Sequence, residues 1–321
     1  MDLSGDWFVI VNPNAGRRKG EKDWLEIAQL LNEAGIKFLN VFTEHTNHAM
    51  KLARKYIENG YRKILVVGGD GTLNEVVNGV FTQKRYAPHE ITLAMIPVGT
   101  GNDWGRSFNI PSDYHEAIRV ISNFKTRLQD VGRVEYMYNN LTKQRHFINM
   151  AGLGFDAMVA KRTNKVKQQG KSGPFSYLIS LFTSLVSYNT VVCRVLVDGK
   201  ELNTDIFSMS VAICKFNGGG MMQAPDAIPD DGLFDVTIIT RVSRLEVVKN
   251  VKKLYDGSYV KMPQVKTFRG ATVEIEANPD MFLETDGESL GHTPMKFEII
   301  PRCINVVSGD PEFISSEKQV D

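Results

Sequence analysis

The sequence predicts an α/β protein of two domains, an N-terminal domain alternating strand and helix and a C-terminal domain that is mainly antiparallel β. Three observations predict it. The apolar, β-branched run Lys63-Ile64-Leu65-Val66-Val67 enters the glycine loop Gly68-Gly69-Asp70-Gly71, and Leu73, Val76, Val77 and Val80 follow at helical spacing. A second buried run, Ile91 to Ile96, enters the loop Pro97-Val98-Gly99-Thr100-Gly101-Asn102-Asp103. Near Thr126 the alternation gives way to successive strand-like runs, and 321 residues suit two domains.

Trp7 to Val11 reads as the first strand, followed by the turn-rich loop Asn12-Pro13-Asn14-Ala15-Gly16 and the cations Arg17, Arg18 and Lys19. Trp24, Ile27, Leu30, Leu31 and Ala34 define a helix stopped by Gly35. Ile36 to Phe42 is a strand closed by Thr43, and a helix capped by Asn47 ends near Gly60. In the organising loop, three glycines in four residues let backbone N–H groups approach a ligand, and the unpaired N–H groups of the next helix point the same way. Together they make an anion site, most naturally for phosphate. Asp70 inside it suits a magnesium ligand or a proton acceptor for an attacking hydroxyl. Neither Gly-x-x-x-x-Gly-Lys-Ser/Thr nor Gly-x-Gly-x-x-Gly is present; Trp104 stands at the third glycine's position. Loops after the strands of an open α/β sheet gather at one edge, so two such loops reinforce each other. Asp113 with Glu116 reads as a capping box for the helix carrying Ala117, Ile118 and Ile121.

Beyond Thr126 the strand-like runs are 126–135, 145–151, 190–198, 206–214, 233–240, 271–276 and 295–300, with a hairpin signal at Asp198-Gly199. Helical periods remain at 156–167, 175–187 and 243–255. Between Ser172 and Cys193 no residue is charged, but about half are Ser, Thr, Tyr, Asn, Gly or Pro, which makes a poor spanning helix. It reads as an amphipathic helix, packed on its own domain or touching lipid. The cluster Arg162, Lys165, Lys167 and Lys171 precedes it, as a solvated face or an anionic-lipid contact.

Lys and Arg number 38 against 37 Asp and Glu, which argues against a nucleic-acid binder. Cys193, Cys214 and Cys303 have no metal-like spacing, and a reduced, cytoplasmic compartment without a disulfide framework is expected. The N-terminus lacks the pattern of a signal peptide. Two acidic constellations stand out. Asp226 to Asp235 carries four carboxylates, and such a turn offers oxygens to a hard cation or is simply solvated. Glu284-Thr285-Asp286-Gly287-Glu288 is a hairpin turn or, near a site, a general base with a metal partner.

Five motifs in order, Asn12 to Gly16, Gly68 to Glu75, Pro97 to Asp103, Gly218-Gly219-Gly220 with Pro225 to Val236, and Asp286-Gly287-Glu288, resemble the diacylglycerol kinase catalytic-domain family, which includes soluble bacterial lipid kinases, sphingosine kinases and ceramide kinases. The resemblance runs from about residue 5 to 310. It implies a nucleotide-binding α/β domain of the NAD kinase and phosphofructokinase type over 1–127, joined by about 301–321, and a β-sandwich lipid domain over 128–300. It implies an ATP site at Asn12, Asn14, Gly16, Thr43, Gly68, Gly69, Asp70, Gly71, Thr72, Asn74, Glu75, Thr100, Asn102 and Asp103. Asp231, with the backbone carbonyls near Ile228 and Leu233, matches a structural Mg²⁺ site. Glu288, with Asp286 beside it, matches the residue usually assigned as proton acceptor, and Asp70 a carboxylate also proposed for that role; the motifs leave both open. Gly152 stands where larger or polar residues are common. The implied activity is transfer of the γ-phosphoryl of ATP to a lipid hydroxyl, of diacylglycerol, phosphatidylglycerol or a sphingoid base, at a membrane surface visited transiently. The alternatives are an NAD kinase and a catalytically silent lipid-binding regulator. A homodimer is the default oligomer.

Overall fold

A computed structural model describes residues 3–168, 183–185 and 188–310. The chain forms two compact units, one up to Gln129 and again from Arg302, the other from Asp130 to Pro301.

The first unit contains β1 (Trp7–Val11), α1 (Ala15–Lys22), α2 (Trp24–Glu33), β2 (Phe38–Phe42), α3 (His48–Glu58), β3 (Lys63–Gly68), α4 (Asp70–Thr82), β4 (Thr92–Pro97), α5 (Asp103–Ser107) and α6 (Tyr114–Asn123). β2, β1, β3 and β4 lie side by side and parallel. The chain's last strand adds to β4, also parallel, with Asn305 opposite Thr92 and Val306 opposite Leu93. β1 is buried along its whole length, and so are β3 and β4 after their first residue. Continuous apolar runs of this kind belong to a parallel sheet covered on both faces. Helices supply that cover: α2 buries Trp24, Ile27, Leu30 and Leu31, and α6 buries Ala117, Ile118, Val120 and Ile121. From β1 the chain goes outward to β2, then returns across β1 to β3. The strand order therefore reverses between β1 and β3, and their carboxyl ends frame the crevice where such sheets bind ligands.

The second unit holds β5 (Thr126–Tyr138, starting just before the boundary), β6 (Leu141–Phe147), β7 (Met150–Gly154), α7 (Phe155–Gln168), β8 (Val191–Val197), β9 (Lys200–Ile206), β10 (Ser208–Ala212), β11 (Phe216–Asn217), β12 (Met221–Met222), β13 (Phe234–Ile239), α8 (Arg244–Asn250), α9 (Lys253–Asp256), β14 (Val265–Gly270), β15 (Thr272–Asn278), β16 (Phe282–Thr285) and β17 (Glu288–Val307). One antiparallel layer runs β14, β13, β10, β7, β16, β17. Further along, β17 pairs with β15, which continues to β8 and β9, while β5 and β6 flank it on its other side. β17 thus belongs to both layers. Phe147, Phe234 and Phe297 fill the space inside, Phe147 and Phe234 stacked at 5.8 Å between ring centroids. β8 alternates buried and exposed residues, as a strand with one solvated face does.

Several elements differ from expectation. The 145–151 run breaks at Ile148 and Asn149 into β6 and β7, and the 243–255 helix divides into α8 and α9. β8 and β9 form the hairpin expected at Asp198-Gly199, β16 and β17 meet at the 284–288 turn, and β14 was not expected from pattern. The predicted helix over 175–187 lies outside the described residues except for 183–185, and Lys171 lies outside them entirely. Among the described residues, no helix is long and apolar enough to cross a membrane.

Candidate active site

The carboxyl ends of β1, β3 and β4 bring together most of the predicted nucleotide residues. After β1, the Asn12 N–H donates to Val67 O (2.9 Å) and its side-chain amide to Thr72 Oγ1 (2.9 Å), tying the first loop to the start of α4. Asn14 N donates back to Asn12 Oδ1 (3.0 Å). The chain then passes through left-handed backbone at Gly16, Arg17 and Arg18, where a loop was expected. Thr43, at the end of β2, donates its N–H to Val11 O (2.8 Å).

The glycines after β3 serve close approach rather than positive φ. Gly69 has extended backbone (φ −124°, ψ −174°), and a Cβ there would lie 3.2 Å from the Gly99 Cα. A Cβ on Gly99 would lie 2.7 Å from the Gly69 Cα. The loops after β3 and β4 are thus packed glycine against glycine, which leaves their backbone as the surface a ligand meets. Gly71, Thr72, Asn74 and Glu75 belong to the first turns of α4, not to the loop. Asn74 is fully buried and holds the Asn78 amide through its carbonyl (2.9 Å). The Glu75 carboxylate receives the N–H of Asn47 (2.7 Å) and of Ala49 (3.0 Å), so it, rather than the Asn47 side chain, caps α3. Asp70 accepts the N–H groups of Asp103 (3.2 Å) and Trp104 (3.0 Å), fastening α4 to the first turn of α5. Asn102 donates to Gly99 O (2.9 Å), Asp103 is buried, and Thr100 is exposed on the loop between them.

In the second unit the turn linking β16 to β17 is held from two directions. Asp286 and Gly287 adopt left-handed backbone (φ 48° and 84°). The buried Asp286 carboxylate accepts three backbone N–H groups, from Ile148, Asn149 and Met150, each at 3.0 Å. Glu284 Oε2 accepts the Gly287 N–H at 2.8 Å. Glu288, at the exit of the turn, is half-buried. Sequence reading placed Glu284 in the acidic constellation at 284–288 but not among the site residues. A Cβ on Gly152 would sit 2.4 Å from Glu284 Oε1, so the missing side chain at 152 is the space this carboxyl occupies.

The acidic turn before β13 has its own organiser. Asp130 is fully buried; its N–H donates to Pro229 O (2.8 Å) and its carboxylate accepts the Gly232 N–H (2.7 Å). Asp231 pairs with Arg269 and accepts the Leu233 N–H (3.1 Å), while Asp235 reaches Arg269 at 3.4 Å. Among the described residues no group of three or more His, Cys, Asp or Glu could hold a metal. The oxygens of Asp231 and of the Ile228 and Leu233 carbonyls suit a hard cation chemically, but a cation there competes with the Arg269 guanidinium.

A pocket that opens to solvent lies within the second unit, lined mostly by apolar side chains such as Phe155, Phe207, Val247 and Leu254. Its polar lining includes Asp156, whose carboxyl burial pushes up to about 6.

Comparison with known proteins agrees with this anatomy. Residues 6–134 match the diacylglycerol kinase catalytic domain, and residues 149–308 match the YegS C-terminal NAD kinase beta sandwich-like domain. A diacylglycerol kinase of Staphylococcus haemolyticus is 30% identical over 310 residues, 97% of this chain and 89% of that protein. One from Staphylococcus aureus is 30% identical over 313 residues, 98% of this chain and 95% of that protein. The chain belongs to the diacylglycerol kinase family. A crystal structure of a Bacillus anthracis diacylglycerol kinase superposes with a TM-score of 0.70 at 22% identity, over 96% of this chain and 98% of that one. Yeast NADH kinase complexed with NADH superposes at 0.54 with 12% identity, over 98% and 87%, and so shares the fold. The α/β class, with a β-sandwich second domain, is thereby established.

For this diacylglycerol kinase family member, Glu284 makes a pH prediction. Burial first, and the nearby Asp156 and Asp286 carboxylates in addition, push its carboxyl from 4.5 to about 8. The folded protein therefore binds a proton that the unfolded chain releases, and stability falls as pH rises from about 4.5 to about 8. Glu284→Gln keeps an acceptor for Gly287 and removes the titration. The melting temperature of this variant should gain on that of the wild type steadily between pH 5 and pH 8, and thermal denaturation across that range checks it. A constant difference would mean that Glu284 keeps an ordinary carboxylate pKa.

Proposed function

We propose that this protein is a lipid kinase that transfers the γ-phosphoryl of ATP to a hydroxyl of diacylglycerol or of a related lipid alcohol. The observation that carries the reading is the apolar cavity of the second unit in a chain whose first unit joins its glycine loops at the switch point. Its mostly apolar lining suits an acyl chain, whereas the polar adenine dinucleotide of an NAD kinase has no need of it.

In this reading the Asn12, Gly68-Gly69 and Gly99 to Asn102 loops receive the nucleotide phosphates on backbone N–H groups, with the α4 N-terminus behind them. The ordered contacts of Asp70, Glu75 and Asn12 support that role, because they lock the loops before the nucleotide arrives. Magnesium bound with the nucleotide would neutralise phosphate charge, and Asp70 is the carboxylate that would help to hold it. A structural Mg²⁺ at Asp231 with the Ile228 and Leu233 carbonyls would displace Arg269 and brace the 226–235 turn. Glu288 takes the proton of the lipid hydroxyl. Asp286 is the positioning residue of that turn, since its oxygens are committed to three N–H groups, and Glu284 positions Gly287. Positioning and charge neutralisation supply most of the acceleration.

The test is ATP-dependent phosphorylation of a total bacterial lipid extract, read by mass spectrometry, with Glu288→Gln as control. One new phospholipid, absent in the control, is the expected result, and its mass names the acceptor. ADP formed only when NAD is added would favour the NAD kinase, and lipid bound without ATP consumption would favour a silent binder.

A further inference from the structure

The helices α8 and α9 have two different faces. Val247, Asn250 and Leu254, spaced by three and four residues, line the apolar cavity. On the opposite side Leu245 is 72% exposed, Val248 47% and Tyr255 46%, which is unusual for large apolar residues grouped on so short a stretch. Arg244, Lys249, Lys252 and Lys253 are exposed around them. Between residues 241 and 261 there are six Lys and Arg against two acids, a local excess of four in a chain whose net charge is +1. The positive charge of this stretch is therefore balanced by acids elsewhere in the molecule. α8 itself is a well-formed element: Ser243 and Glu246 make a complete capping box, and Gln264 holds Glu246 from the strand side (3.0 Å).

We infer that the outer face of α8 and α9 is a docking surface for an anionic lipid bilayer, with Leu245, Val248 and Tyr255 entering the interface and Arg244, Lys249, Lys252 and Lys253 meeting the headgroups. Apolar side chains flanked by cations are the composition of an interfacial helix, and an acidic protein partner would leave Leu245 and Val248 unaccounted for. The placement has a functional consequence, resting on the lipid-kinase reading. The helices whose outer face touches the bilayer wall the cavity with their inner face, so a lipid leaving the membrane meets the cavity lining one helix thickness away.

Vesicle sedimentation of the full chain tests this, with phosphatidylglycerol–phosphatidylcholine vesicles against pure phosphatidylcholine, alongside turnover of a water-soluble short-chain diacylglycerol. Wild type should bind the anionic vesicles and release them at high salt. Lys249→Gln, Lys252→Gln and Lys253→Gln combined should weaken that binding by about a hundredfold, from about 1 kcal/mol for each cation. Leu245→Ser with Val248→Ser should weaken it by about tenfold or more, by loss of buried apolar area. Both variants should keep wild-type turnover of the soluble substrate, which also shows that they fold. Unchanged vesicle affinity in both variants overturns the inference, as does affinity lost only when Arg162, Lys165, Lys167 and Lys171 are neutralised. Equilibrium sedimentation showing a dimer that Leu245→Ser with Val248→Ser dissociates would assign the face to a second copy of this chain instead. If the wild type binds vesicles but turns over no soluble lipid, the docking surface stands and the kinase reading fails.

Discussion

Glu288→Gln should lower turnover by about 10² or more while leaving the KM for ATP within a factor of about two. Gln is isosteric and keeps hydrogen-bonding capacity, so the backbone of the Asp286-Gly287 turn has no reason to move. What disappears is the group proposed to take the hydroxyl proton. Nearby carboxylates are poor substitutes: Asp286 accepts three N–H groups at 3.0 Å, and Glu284 is buried, spent on Gly287 and held mostly protonated at neutral pH. Steady-state kinetics on the phosphorylated lipid of the extract decides it. Near-normal turnover would move the role to Asp70, whose oxygens already receive two N–H groups of α5. Asp70→Asn should then raise the KM for ATP as well as lower turnover, because it loosens the loop that meets the phosphates.

Asp286→Ala should cost about 3 kcal/mol or more of stability, since three buried N–H groups lose a charged acceptor at once. For a unit of this size that corresponds to a fall of about 6–12 °C in melting temperature. Asp286→Asn retains one acceptor oxygen and should lose roughly half as much. Turnover should fall with the same order, because the Asp286 carboxylate ties the segment between β6 and β7 to the turn before Glu288. Differential scanning calorimetry of the two variants reads this directly. A melting temperature within about 2 °C of wild type for Asp286→Ala would show that water replaces the carboxylate at little cost.

The α/β half was legible because its strands are buried on both faces and declare themselves as continuous apolar runs. Lys63 to Val67 with its glycine loop needed no partner to be read. Secondary structure that depends on distant groups was not. The 145–151 run has one apolar pattern, yet it breaks where Ile148 and Asn149 turn their N–H groups to Asp286, more than a hundred residues away. The 243–255 pattern follows the cavity, and a burial period persists across the point where the helix itself stops. β14 is largely polar and exposed, so it carries little alternation to detect.

The candidate site divides in the same way. Glycine loops and the Asp286-Gly287-Glu288 turn are contiguous in sequence and were visible. Asp130 and Glu284 are single carboxylates whose importance lies in what they touch after folding. Glu284 did leave one signal, an acid within the inward-facing run of β16, which is costly unless something holds it. Asn47 was read as the α3 cap from local sequence, whereas the capping carboxylate is Glu75, 28 positions further on.

The strand at residues 302–307, which edges the first unit's sheet beside β4, has a consequence for biosynthesis. During translation the N-terminal unit emerges first, but β4 has no neighbour on that side until nearly the whole chain is made. Until then a fully buried strand presents an open row of backbone donors and acceptors to anything extended nearby. The nascent N-terminal unit is therefore at its most aggregation-prone while the ribosome is making the second unit, and a fragment ending before residue 302 would keep that liability permanently.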